Sequence, residues 1–255
     1  MLLQSAGLAA VTAGLATVIA GRRFPDVGTF AAALGLAAVS LRGGTAGSLV
    51  IQWADSAPVT QSSLPLQLAL EAIAWFVIIF LARVFAITVE RWCFDGAHGE
   101  RTEGEPNSEK DSMVAGIKHT VIAGGAALLA FKVLTAGLAT RSVQHGQACF
   151  VVAASVCLAA YLAYWVAPVR TALWGVLSVP ILAVCGYVWA RLGSSPEGLP
   201  ASVPPSAFLR VLPIQYISVG AAAAVAMFWY LHHRVGESSD EDPPRPRASA
   251  EGRGS

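Results

Sequence analysis

Charge is what this chain has least of. Asp, Glu, Lys and Arg make up 13% of its 255 residues, where a soluble domain carries about 25%. With 55% hydrophobic residues and a mean hydropathy of +0.58, that scarcity excludes an ordinary soluble domain. The net charge is +1, so no bulk attraction to nucleic acid is present and none is expected as a partner. Cysteine is also sparse. Cys93, Cys149, Cys157 and Cys185 form no C-x-x-C, which excludes a disulfide framework or zinc site read from spacing. Three of them lie in apolar runs, where cysteine acts as a small hydrophobe.

Catalytic signatures are missing too. The chain has no G-x-S-x-G, no H-E-x-x-H, no G-x-x-x-x-G-K-[ST] and no kinase motif set. No catalytic residue, no metal ligand and no cofactor is therefore assigned. Finally, MLLQSAGLAAVTAGLATVIA lacks the positive leading region of a signal peptide, and its arginines follow it instead. It reads as a retained first helix.

Several apolar runs approach the twenty or so residues that a helix needs to cross a bilayer. The expected fold is all-α: a polytopic integral membrane helix bundle of about seven transmembrane helices, N-out and C-in. The helices are placed near 2–20, 27–50, 64–92, 113–140, 147–166, 171–190 and 212–233, within a transmembrane domain 1–234. A polar cytoplasmic loop, 93–112, and a disordered cytoplasmic tail, 235–255, complete the chain. Helix 2 is the exception to easy reading. VGTFAAALGLAAVSL rises only about 22 Å before Arg42, so either it continues past Arg42 toward Ile51 or GSLVIQW forms a re-entrant piece. The direction follows from the basic residues. With the N-terminus outside, twelve Lys and Arg fall on the cytoplasmic side. Four fall outside, namely Arg42, Arg141, Arg191 and Arg210, while Lys132 lies within the membrane. That bias is the positive-inside pattern.

The run from Leu64 to Trp92 organises the rest. At about 43 Å it exceeds the hydrocarbon core, so it tilts or protrudes. It carries Glu71 seven residues in, and Lys132 lies seven residues before Ala139 on the next, antiparallel helix. Equal depth suggests an intramembrane polar pair, Glu71 with Lys132, because a partner offsets the several kcal/mol of a bare charge in lipid. Such a pair is part of an ion or proton path, or a structural clasp. Otherwise Lys132 snorkels outward and Glu71 is protonated. Thr120, Gln215 and Ser218 are the possible cavity-lining residues of a transporter. Pro180, in mid-helix 6, is expected to kink it.

Two further clusters are weaker. His119 and His232-His233 stand at one depth, an arrangement that suits haem but equally marks helix ends at the water boundary. Cys93, Asp95, His98 and Glu100 have metal-binding types without metal-binding spacing. TAGLAT occurs at Thr12–Thr17 and again at Thr135–Thr140, as an inverted repeat would require. Short words also recur by chance in an Ala- and Gly-rich chain.

The function expected is a non-catalytic accessory or scaffold subunit of a membrane assembly. The alternative is a small transporter or ion- or proton-conducting protein using Glu71 and Lys132. Expected partners are the lipid bilayer and other membrane subunits or further copies of the chain. The expected location is the bacterial cytoplasmic (inner) membrane. A transporter gathers its polar residues on one cavity, and a scaffold scatters them.

Overall fold

Every long apolar run becomes a helix, because in hydrocarbon a helix satisfies its own backbone hydrogen bonds. The computed structural model describes residues 2–20, 26–42, 58–94, 106–136, 145–192 and 206–240. Its helices are α1 (Leu2–Ala20), α2 (Val27–Arg42), α3 (Pro58–Phe94), α4 (Pro106–Thr135), α5 (His145–Val166), α6 (Leu173–Leu192) and α7 (Pro213–Asp240). A 3₁₀ turn, Ala207–Arg210, precedes α7. Among the described residues there is no strand. Five helices are long and apolar enough to cross a membrane, and α1 and α2 are shorter apolar helices. The chain is a helical membrane bundle.

Several boundaries differ from expectation. Helix 2 stops at Arg42 rather than near 50, and the GSLVIQW segment lies outside the described residues. Helix 3 begins at Pro58, not 64. Proline at a first helical position costs nothing, since that N–H has no intrahelical partner anyway. Pro65, about two turns further, is accommodated within the helix. The polar loop expected over 93–112 is shortened from both ends. α3 runs to Phe94, and α4 starts at Pro106, again with proline at the first position. At its other end α4 finishes at Thr135 instead of 140, which moves Lys132 into the last turn. α7 continues to Asp240, past the expected limit near 233. Pro180 sits inside an unbroken α6.

α6 and α7 form the centre. α7 packs against α2, α3, α5 and α6, and α6 packs against α3, α4 and α7. α1 closes on α2 and α3 at one side, and α4 closes on α5 and α6 at the other. The sequence neighbours α3 and α4 scarcely touch each other. The reason for this arrangement lies in small residues. Ala221 to Ala224 of α7 are all buried, and Gly175 and Gly220 stand at the α6–α7 contact, facing Ala224 and Val179. Without a hydrophobic driving force between helices in lipid, close backbone approach is what favours one partner over another.

Candidate functional site

Glu71 is exposed on the surface of α3, and its Oε1 accepts a hydrogen bond of 3.1 Å from the indole N–H of Trp75, one turn on. The carboxylate also lies near enough to Tyr187 of α6 to interact with it electrostatically. Lys132 is exposed on α4, its Nζ 4.8 Å from the ring centroid of Trp189 on α6. No ion pair joins them. The expected pairing rested on α3 and α4 being neighbours, and α6 separates them. Each charge has found an indole instead: Glu71 an N–H donor, Lys132 a π face. With Lys132 in the last turn of its helix, its ammonium reaches the boundary without a carboxylate.

The three cavity candidates also go separate ways. Thr120 Oγ1 donates to the Trp174 carbonyl at 2.9 Å, tying α4 to α6. Ser218 Oγ donates to its own helix at Ile214, 2.6 Å away. Gln215 is fully buried and its Oε1 accepts from the Leu212 backbone N–H at 3.1 Å, capping the first turn of α7. Thr120 thus spends its hydroxyl on a neighbouring helix, and that of Ser218, bonded back to its own helix, presents no donor to a ligand.

A cleft does lie among the described residues, and none of these five lines it. It is small, holding about 10 Å³, and is lined by His119 of α4, Tyr164 of α5, Thr171 of the turn before α6, Gly175 of α6 and Phe228 of α7, among others. It lies at the end of the bundle where α3 finishes and α4 begins, termed here the inner end. His119 is 3% exposed, and its Nδ1 is 2.9 Å from the Ala167 carbonyl, so Nδ1 carries the proton and donates. Phe228 stacks on His232 with centroids 4.6 Å apart. The histidines thus engage separate neighbours. Cys93 is exposed, and its expected companions Asp95, His98 and Glu100 lie outside the described residues. Among the described residues no three His, Cys, Asp or Glu side chains gather as metal ligands would.

Two features escaped sequence reasoning. The first is a half-buried ion pair: Arg83 Nε lies 2.9 Å from Asp26 Oδ1, with side chains 15% and 9% exposed. Asp26 has φ 63°, a left-handed conformation that Asp tolerates better than most residues. Its carbonyl accepts from Phe30 N–H at 3.1 Å, so one residue both starts α2 and grips α3. A lone arginine in an apolar run was the available signal, but its partner is 57 residues away. The second is an aromatic knot at the opposite end. Tyr187 donates to the Val211 carbonyl at 2.7 Å and Tyr216 to that of Phe208 at 3.3 Å. Phe131 stacks on Phe208 with centroids 4.7 Å apart. This knot draws Phe208, Leu209, Arg210 and Val211 into the bundle, where all four are buried. Burial lowers the Arg210 pKa below its ordinary value, and arginine stays charged nonetheless. The chain matches no protein-family model, no curated protein and no solved structure.

Proposed function

We propose that this membrane protein is a non-catalytic accessory or scaffold subunit of a membrane assembly. One observation carries the reading: Glu71, Lys132, Thr120, Gln215 and Ser218 bond to separate neighbours, and none of them lines the His119 cleft. A conducting path needs polar groups in sequence along one route. Here they serve as caps, clasps and interface anchors. Open glycines support the reading. Nothing lies within 4 Å of a side chain built on Gly7 of α1 or Gly125 of α4, so the backbone of another helix can approach there. Its partners would be other membrane subunits or copies of itself, in addition to lipid. The proposal extends to an N-out, C-in orientation, from the distribution of arginines, and to the bacterial cytoplasmic membrane, from composition.

Purification in mild detergent followed by native mass spectrometry tests it. A stoichiometric assembly heavier than the 26.5 kDa chain is expected, weakened by Gly125→Leu. A lone monomer that moves a solute across liposomes overturns the proposal.

A further inference from the structure

The helices fall into two groups of three that pack alike. α1 lies on α2 and α3, as α4 lies on α5 and α6. α7 packs on α2 and α3 from the first group and equally on α5 and α6 from the second, and α3 meets α6 where the groups join. Exchanging α1, α2 and α3 for α4, α5 and α6 reproduces all of these pairings. Alternate helices in a bundle point in opposite directions, so α1 and α4 are opposed and the two groups are inverted relative to one another.

A register supports the correspondence. An offset of 110 residues sets Ala9, Ala13, Gly14 and Thr17 of α1 on His119, Ala123, Gly124 and Ala127 of α4, and all eight are buried. In the same register Val11, Ala13, Gly14, Ala16 and Ala20 meet identical residues at 121, 123, 124, 126 and 130. The matched glycines also do the same job. A side chain on Gly14 would strike Phe85 of α3 at 2.9 Å, and one on Gly124 would strike Ile181 of α6 at 2.8 Å. In both groups, glycine admits the third helix against the first. TAGLAT is not the register. Its second copy begins at Thr135, the last residue of α4.

One pairing breaks the symmetry. α2 packs on α3, but α5 and α6 scarcely touch, and between them lies the His119 cleft. The Asp26–Arg83 ion pair fastens the first group at the start of α2. Among the described residues no ion pair fastens α5 to α6. Inverted repeats held in two different conformations can exchange them, because each half has the fold to adopt the other's arrangement.

We infer that α1–α3 and α4–α6 are inverted copies of one three-helix unit that exchange conformations: α5 and α6 close over the His119 cleft while α2 parts from α3. The exchange goes beyond a scaffold role and does not require it. Ala9 stands where His119 does, so the two states are chemically distinct: one offers an imidazole at the inner end, and the other withdraws it.

Pulsed electron–electron distance measurements in lipid nanodiscs test this on the full chain. One label pair, at Leu34 and Val77, reports α2 against α3, and a second, at Leu162 and Val188, reports α5 against α6. Arg83→Gln, which removes the fastening charge, is expected to lengthen the first distance and shorten the second together. A longer α2–α3 distance with α5–α6 unchanged overturns the exchange and leaves a local clasp, as does no change in either. Should Arg83→Gln not fold, a disulfide between Tyr164→Cys and Thr171→Cys, which both line the cleft, forces the other state. It is expected to form under mild oxidant and to lengthen the α2–α3 distance. Failure to form, or formation without that change, overturns the inference.

Discussion

Glu71→Gln and Lys132→Gln, made singly and together, report on each side chain's true neighbours. Because each charge sits against its own indole, the double variant is expected to equal the sum of the singles, with coupling below about 0.5 kcal/mol. Unfolding in mixed micelles measures it, and a coupling of several times that value would restore the pair. Glycine gives a sharper contrast within one helix. A side chain on Gly116 would run into the Trp174 ring, so Gly116→Ala is expected to cost about 1–3 kcal/mol through overpacking. Gly125 faces open space, and Gly125→Ala is expected to gain about 0.5–1 kcal/mol from helix propensity. The same melts decide both. Sequence shows two glycines in one run, but which of them faces a tryptophan depends on a helix more than fifty residues away.

The elements were mostly legible because their signal is their length. Runs near twenty apolar residues have no alternative to a helix in lipid, and all seven appear. Their ends were less legible. Proline opened α3 and α4 earlier than polarity suggested, since capping chemistry acts on a single turn and hydropathy averages over many. The 3₁₀ turn at Ala207–Arg210 was invisible, lying in a proline-rich stretch with no apolar period. Tyrosines far off in sequence hold it. Tyr187→Phe, which leaves the buried Val211 carbonyl without its 2.7 Å donor, is expected to cost about 1–3 kcal/mol. Amide exchange over 207–212 should quicken by at least tenfold, with the inner ends of α6 and α7 unaffected. Equal quickening along both helices would show that the bond supports the whole bundle instead.

For the molecule as a whole, the most consequential contact is the Asp26–Arg83 pair, which joins the turn before α2 to α3. Removing one partner leaves a half-buried charge unpaired, so Arg83→Leu is expected to destabilise by about 1–3 kcal/mol. The Asp26→Leu/Arg83→Leu double variant should recover most of that, because desolvation of both charges is then avoided. A double variant as unstable as the single would show that Asp26 acts mainly through its left-handed backbone. The candidate site was the least legible part. Glu71 and Lys132 were conspicuous as charges in apolar runs, yet depth counting assumed that consecutive helices are neighbours. α6 intervenes, and His119, read as a boundary residue, turned out to line the cleft.

Composition and run length were enough to establish a membrane protein of seven apolar helices, because the cost of exposing backbone to hydrocarbon is paid locally, segment by segment. Which helix lies against which was settled by packing. In lipid every apolar face is equally content, so small differences in side-chain shape, such as Gly14 beneath Phe85 and Gly124 beneath Ile181, select the neighbours. Those contacts join residues far apart in the chain, and so they appear only once the helices are assembled.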